Sequence, residues 1–319
     1  MALGQLKITP DGQLKDKLEM AIDRLKAFEP EEGYFVAFSG GKDSQCIYHL
    51  CEMAGVKFDA HYSLTSVDPP ELVYFIRDKY PTVSVDIPHD RDGKRISMWS
   101  LIANDIMPPT QKWRYCCEKL KESNGRGRIT VTGVRWAESP RRKALHDVVD
   151  FVGKKKTTIK QAEEHGADYA LNKNGNVILN DDNDAARRMV EHCYRTRKTL
   201  VNPIVDWDDG DVWEFLNDVM KVPHCSLYDD GYTRLGCIGC PMRREKGMRQ
   251  DFERWPKYKE LYLKSFERMI QNRRGGDWTS LKYGKENKPD NMTLREKAED
   301  MFDWWINTNH YGEEARTWP

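Results

Sequence analysis

Apolar and polar positions alternate in blocks along the first two thirds of the chain. Tyr34-Phe35-Val36-Ala37-Phe38 is a compact apolar run that ends in Ser-Gly-Gly, with the length and flanks of a buried strand. From 45 to 54 the residues Ile47, Leu50, Cys51 and Ala54 recur at helical spacing until Gly55 stops them. Residues 56–63 read as a second strand and 70–79 as a second helix, with Pro70 where a missing N–H costs little. Residues 83–87, 128–134 and 199–205 read as three further strands. Strands that alternate with helices pair in parallel through right-handed crossovers. The expected fold class is therefore α/β, a doubly wound, mostly parallel, Rossmann-like sheet. In such sheets ligands lie beyond the carboxyl ends of the strands.

The stretch 153–198 reads differently. It is polar, with Lys154-Lys155-Lys156 and Asn180-Asp181-Asp182-Asn183, and is expected to be an excursion carrying little core. Beyond Trp207 come a helix over 211–220, a loop bearing cysteine and glycine, and a basic helical region over 249–274. A last amphipathic helix over 293–307 carries Leu294, Ala298, Met301, Phe302 and Trp305. The expected division is a nucleotide-binding α/β domain over 1–220 and a cysteine-containing helical region over 221–319. No internal repeat is visible.

Composition narrows the class without naming a partner. With 39% hydrophobic and 32% charged residues the 319-residue chain reads as globular and well solvated. Lys+Arg and Asp+Glu both number 51, so net charge argues for neither nucleic acid nor a membrane surface, and such a partner would need a local patch. No window approaches the roughly 20 apolar residues that span a bilayer. Residues 1–14 lack the basic-then-apolar order of a signal peptide, so no membrane partner and a cytoplasmic location are expected. In that compartment the eight cysteines are thiols or metal ligands before they are disulfides.

The string Ser39-Gly40-Gly41-Lys42-Asp43-Ser44 falls between a strand and a helix. Two glycines let the backbone turn and let an anion approach its N–H groups, and the helix behind adds the positive end of its dipole. Lys42 supplies a charge, Ser39 and Ser44 supply hydroxyls, and the plain alternative is a tight turn capped at Ser44. Gly-x-x-x-x-Gly-Lys-Ser/Thr is absent, so this is not a Walker A loop. The string resembles the SGGxDS PP-loop of the adenine nucleotide alpha hydrolase superfamily. The resemblance implies that fold and binding of ATP or an adenylyl sulfate, with reaction at the α-phosphate or its substituent.

Two more strings are similar to the phosphoadenosine phosphosulfate (PAPS) reductase family. In the string 133–142 the residues Gly133, Arg135, Ser139 and Arg142 resemble a Gly-x-Arg…Ser…Arg segment that contacts the nucleotide's anionic groups. Asn202-Pro203-Ile204-Val205-Asp206-Trp207 with Asp211-Val212-Trp213 resembles a structural segment of the same family.

Cys116-Cys117 and the later Cys237-Ile238-Gly239-Cys240 resemble the paired motifs of iron–sulfur adenylyl sulfate (APS) reductases. The resemblance implies a [4Fe–4S] cluster on Cys116, Cys117, Cys237 and Cys240. From the residues alone a structural zinc site, including one using Cys225, a redox dithiol and free thiols stay open. Cys46, Cys51 and Cys193 sit in apolar or helical contexts and read as buried fillers.

One departure bears on function. The sulfonucleotide reductases attack the bound sulfate with a cysteine near their C-terminus, whereas here no cysteine follows Cys240, leaving Cys225 as the substitute. Relatives that serve DNA phosphorothioation combine the PP-loop with cluster cysteines. The resemblance then implies an ATP pyrophosphatase that adenylates an acceptor for sulfur transfer. Lys42, Arg135 and Mg²⁺ would stabilise the phosphates, and Asp43 would place the metal or the acceptor or cap the helix. Its partners would be a sulfur donor, such as a cysteine desulfurase or thiol carrier, and DNA or RNA. A sulfonucleotide reductase with an altered nucleophile and a non-catalytic nucleotide sensor are the alternatives. A nucleic-acid face could come from 243–262, where Arg243, Arg244, Lys246, Arg249 and Arg254 interleave with Trp255, Tyr258 and Tyr262. The competing expectation is an amphipathic helix with those aromatics buried.

Overall fold

The structure is a computed structural model; it describes residues 3–8, 14–90, 92–105, 107–122, 124–143, 145–152, 159–160, 163, 169–171, 177–179, 198–272 and 292–307. In chain order the strands and helices begin with β1 (Lys7–Ile8), β2 (Leu14–Lys15), α1 (Lys17–Ala27), β3 (Tyr34–Ala37), α2 (Lys42–Ala54) and β4 (Phe58–Ser63). There follow α3 (Pro70–Lys79), β5 (Ser84–Asp86), α4 (Met98–Asn104), α5 (Tyr115–Leu120), β6 (Ile129–Val131) and α6 (Pro140–Lys143). The remainder are β7 (Val149–Val152), β8 (Tyr169–Leu171), β9 (Val177–Leu179), β10 (Lys198–Val201), α7 (Asp209–Glu214), α8 (Arg244–Arg254), α9 (Pro256–Gln271) and α10 (Leu294–Ile306).

These elements form two compact units that are threaded through one another along the chain. The first gathers 1–62, 71–85 and 124–235, and the second gathers 63–70, 86–123 and 236–319. The first is the expected α/β fold. Its sheet runs β5-β4-β3-β6-β10-β7-β9-β8, and the ladders β4–β3, β3–β6 and β6–β10 at its heart are parallel. Tyr34, Val36, Val131 and Val201 are fully buried there, and Ile47, Leu50 and Leu25 pack with them as fully buried helix residues. Each such side chain contributes about 1.5–3 kcal/mol by leaving water. The Tyr34 hydroxyl, donating to Leu25 O at 2.7 Å, satisfies the polar end of a buried ring.

Two expectations about this unit change in detail. The polar stretch after β7 does contribute to the sheet, because β9 pairs antiparallel with β7 and β8 antiparallel with β9. Three-residue strands are too short to leave an alternating pattern in a polar sequence. The helix expected over 211–220 starts earlier, at Asp209, where Asp208 and Asp211 form a capping box, and it widens into a π-turn over Phe215–Val219.

The second unit is helical, with an aromatic core. Tyr262, Phe266, Phe302 and Trp305 are buried, and the Tyr262 and Trp305 rings stand 4.9 Å apart. Trp305 Nε1 donates to Pro109 O at 2.7 Å, so the indole is both packed and satisfied. The expected basic helical region is made of two helices, α8 and α9. They break at Trp255, whose φ of −120° and ψ of 68° lie outside the helical region that the following Pro256 disfavours. Helix α10 matches its expected span, with Thr293 as its cap and Ala298, Met301, Phe302 and Trp305 inward. No helix among the described residues is long and apolar enough to cross a membrane.

Candidate nucleotide site and cysteine cluster

The loop after β3 is shaped by its neighbours. Gly40 has φ +71°, and a Cβ there would stand 2.7 Å from Leu72 and from Ile76 of α3, so only glycine fits. Gly41 caps α2 with extended backbone and no side-chain hydrogen bond. Ser44 does not cap; it lies inside α2, donates back to Gly41 O at 2.8 Å and meets Ser39 Oγ at 3.2 Å. The Lys42 N–H donates to the Tyr228 hydroxyl at 2.8 Å. Tyr228 sits on a 3-10 turn, edge-on to Trp213 with centroids 5.0 Å apart, and burial pushes its phenol up.

Charges gather behind this loop. The Lys42 ammonium is buried, 3.4 Å from Asp209, 3.7 Å from Asp43 and 3.4 Å from Thr233 O. Arg135, 2% exposed, donates from Nε to Asp43 and from Nη2 to Asp209, both at 2.7 Å, and from Nη1 to Trp207 O at 3.4 Å. Burial alone would raise the Asp209 carboxyl, but Arg135 and Lys42 hold it below its ordinary value. Gly133 admits this arrangement, since a Cβ there would stand 2.9 Å from Asp43 Cβ and from Asp43 O. The structure thus brings Lys42, Asp43, Gly133 and Arg135 together. Arg135 meets carboxylates with the fork expected to meet phosphate.

Ser139 and Arg142 form a neighbouring cluster around Glu138. Ser139 Oγ accepts the Arg142 N–H at 3.2 Å, and the Arg142 guanidinium pairs with Glu138 at 3.1 Å. Arg234 reaches the same carboxylate at 3.4 Å. Sequence reasoning missed Tyr228, Thr233 and Asp209. Asp209 had a usable signal as the middle of Asp208-Asp209-Gly210 after a strand, whereas Tyr228 is 186 residues from its partner and had none.

All four cysteines of the paired motifs lie in the second unit, Cys116 and Cys117 on α5 and Cys237 and Cys240 on the loop before α8. They are close enough that the charges of Cys117, Cys237 and Cys240 all act on Cys116. Within the adjacent pair Cys117 takes the thiolate: the Cys116 S–H donates to it, and Arg114 and Lys121 lie beside it, against the pull of burial. Cys116 is pushed up correspondingly, and burial raises Cys237 to about 11 despite Lys121. The Thr65 hydroxyl lies 3.6 Å from Cys237 Sγ. Among the described residues no three His, Cys, Asp or Glu side chains are gathered as for a single metal ion.

Cys46, Cys51 and Cys225 are buried, with their thiols raised by burial; Cys193 lies outside the described residues. The aromatics of 243–262 face inward. Trp255 and Tyr262 are buried, and the Tyr262 and Tyr258 hydroxyls donate to Ile238 O and Asp68 O at 2.9 and 3.1 Å. The core of the unit takes Trp255 and Tyr262, as an amphipathic helix requires, and Tyr258 is half-buried. Arg244, Lys246, Arg249 and Arg254 stay exposed.

The fold and the loop are those of a PP-loop α/β domain, and comparison with known proteins gives its family. The family model described as phosphoadenosine phosphosulfate reductase domain matches residues 33–243, and the chain belongs to that family. A phosphoadenosine 5'-phosphosulfate reductase of Xanthomonas oryzae pv. oryzae is 34% identical over 61 residues, 19% of this chain and 25% of the relative. An adenosine 5'-phosphosulfate reductase of Oceanobacillus iheyensis is 39% identical over 46 residues, 14% of this chain and 19% of the relative. An uncharacterized protein of Methanocaldococcus jannaschii is 39% identical over 70 residues, 21% of this chain and 15% of the relative. The chain thus aligns with a quarter or less of each of these relatives.

Proposed function

We propose that the protein is an ATP pyrophosphatase that adenylates an acceptor for sulfur transfer, with Mg²⁺ and ATP at the loop 39–44. The observation that carries this is the pair Asp43 and Asp209 beside the glycine-bearing loop 39–44. Lys42 and Arg135 balance them, so charge alone does not draw in a sulfonucleotide. A triphosphate arrives with Mg²⁺, which is held by one or two carboxylates together with substrate phosphates. Asp43 and Asp209 would hold such a cation, which would supply charge stabilisation for the leaving pyrophosphate.

The donor set Cys116, Cys117, Cys237 and Cys240 is all sulfur and is flanked by Arg114 and Lys121, which suits a [4Fe–4S] cluster. Bound there, the cluster would supply electrons or a site for sulfur. DNA or RNA is the acceptor class we favour, met by exposed cations such as Arg244 and Lys246 without aromatic stacking. A cysteine desulfurase or thiol carrier would deliver the sulfur. A second reading, APS or PAPS reduction, is favoured by the names of the curated relatives. It demands a nucleophile, and the burial of Cys225 counts against that residue.

Purified protein given ATP and Mg²⁺ should release pyrophosphate and AMP, and Lys42→Ala should slow it at least tenfold. Sulfite from adenylyl sulfate or PAPS with a thiol reductant, and no pyrophosphate from ATP, would replace this reading with the reductase. Anaerobic protein should carry about four irons. Any single Cys→Ser change at 116, 117, 237 or 240 should remove them, and Cys225→Ser should not.

A further inference from the structure

The first unit carries a histidine–carboxylate pair that the loop 39–44 does not use. His146 lies between α6 and β7. Because β7 runs antiparallel to β10, with Val149 opposite Val201, the residues entering β7 stand at the carboxyl end of the parallel strands. Asn202 leaves β10 there, and Thr132 and Gly133 leave β6 there. That is where an α/β sheet binds its ligands.

His146 Nδ1 is 2.5 Å from Asp150 Oδ2, and since a carboxylate only accepts, Nδ1 carries the proton. Asp150 is buried and fixed: Asn202 Nδ2 donates to the same oxygen at 3.1 Å, and the Asp147 N–H donates to the other at 3.2 Å. Asn202, fully buried, is itself held by Asp147 O at 2.7 Å and by the Thr132 hydroxyl. Trp136 Nε1 donates to His146 O at 2.7 Å and pins the backbone. The imidazole is partly exposed, and Nε2 has no hydrogen-bond partner among the described residues. A histidine oriented by a buried carboxylate, with its far nitrogen bare, is the arrangement of a general base.

We propose that His146 is the general base of the adenylation inferred above, on which this step rests, with Asp150 and Asn202 as its positioning residues. Nε2 takes the proton of the attacking acceptor O–H. The acceptor oxygen bonds to the α-phosphorus, the bond from that phosphorus to the bridging oxygen breaks, and its electron pair leaves with pyrophosphate. Asp150 balances the imidazolium. Strand β7 is three strand spacings from β3, about 14 Å at ~4.8 Å each. A base there serves the acceptor side of the nucleotide and not the leaving phosphates.

The test uses ATP and Mg²⁺ with water as the acceptor. His146→Ala should lower pyrophosphate release about 100-fold or more, the scale of a lost base. ATP affinity should stay within twofold, and added imidazole should restore at least tenfold of the rate. An unchanged rate, ATP affinity falling in step with the rate, or no response to imidazole would each overturn the assignment. Wild-type protein that releases no pyrophosphate would sink the ATP reading instead, and the pair is then judged by nitrogen NMR of the imidazoles. His146, identified by its loss in His146→Gln, should be the Nδ1–H tautomer and should shift when α,β-methylene ATP binds. The other tautomer, or no shift on saturation, would overturn its place in the site.

Discussion

Around the loop 39–44 the support is electrostatic: Lys42 and Arg135 are buried and each meets both Asp43 and Asp209. Around Cys237 and Cys240 it is aromatic. Gly239 lies where an added Cβ would be 2.5 Å from the Phe252 ring and 3.2 Å from Tyr262, and those rings join Trp305 and Phe302 in one core. The first kind of support fixes two cations and two carboxylates in place. The second packs rings against the loop that carries Cys237 and Cys240, which are themselves half-buried. Each unit therefore depends on a different physical term, and mutations should separate them.

The largest effect is expected in the aromatic unit. Trp305→Ala removes a fully buried indole and its bond to Pro109 O, a loss of about 3–5 kcal/mol. Chemical denaturation should show the second unit unfolding earlier, with the loss nearly independent of pH. A change under about 1 kcal/mol would mean that the aromatic cluster does not hold that unit.

Next is the loop itself. Gly41 has ordinary negative φ, and an added Cβ would meet only the Tyr228 hydroxyl at 3.4 Å and Ser39 Oγ at 3.6 Å. Gly41→Val should therefore fold while its methyls fill the anion's space. ATP affinity should fall about 100-fold, which is about 2.7 kcal/mol. Calorimetric titration of ATP into the folded variant checks this, and undiminished binding would remove the loop from the site.

The contrast between the units also explains what could be read from the sequence. Strand β3, the loop and α2 are contiguous, so the apolar run, the glycines and the helical spacing stand side by side. The parallel order and the membership of Lys42, Asp43, Gly133 and Arg135 in one site followed from such local strings. What could not be read is what distant residues impose. Tyr228 reaches Lys42 from a 3-10 turn, and Asp209 claims Arg135 from the cap region of α7. Trp255, Tyr258 and Tyr262 have a spacing that suits a buried stripe and a stacking platform equally. Only the neighbours decide, burying Trp255 and Tyr262 and leaving Tyr258 half-buried with its hydroxyl on Asp68 O. The strands β8 and β9 were hidden because three residues carry no periodicity.

The smallest effect tests whether ion pairs stabilise the sheet unit where no ligand is involved. Asp59 on β4 takes a bidentate fork from Arg128, at 2.7 and 2.5 Å, and bonds His61 as well. Burial pushes the Asp59 carboxyl up, but the hydrogen bonds from Arg128 and His61 prevail and hold it below its ordinary value. A carboxyl depressed in the folded state adds stability that is present above its unfolded value and disappears as pH falls through the folded one. Asp59 is about half exposed, with 44% of its side chain accessible, so screening limits the gain to under about 1 kcal/mol. Asp59→Asn should thus lower the thermal midpoint slightly at pH 7, and the difference from wild type should shrink as the solution is acidified below the ordinary aspartate range. Added salt should narrow the gap at pH 7 in the same direction. A gap that is constant across both series would show that Asp59 acts through packing, and the electrostatic character of the first unit would then be confined to the surroundings of the loop 39–44.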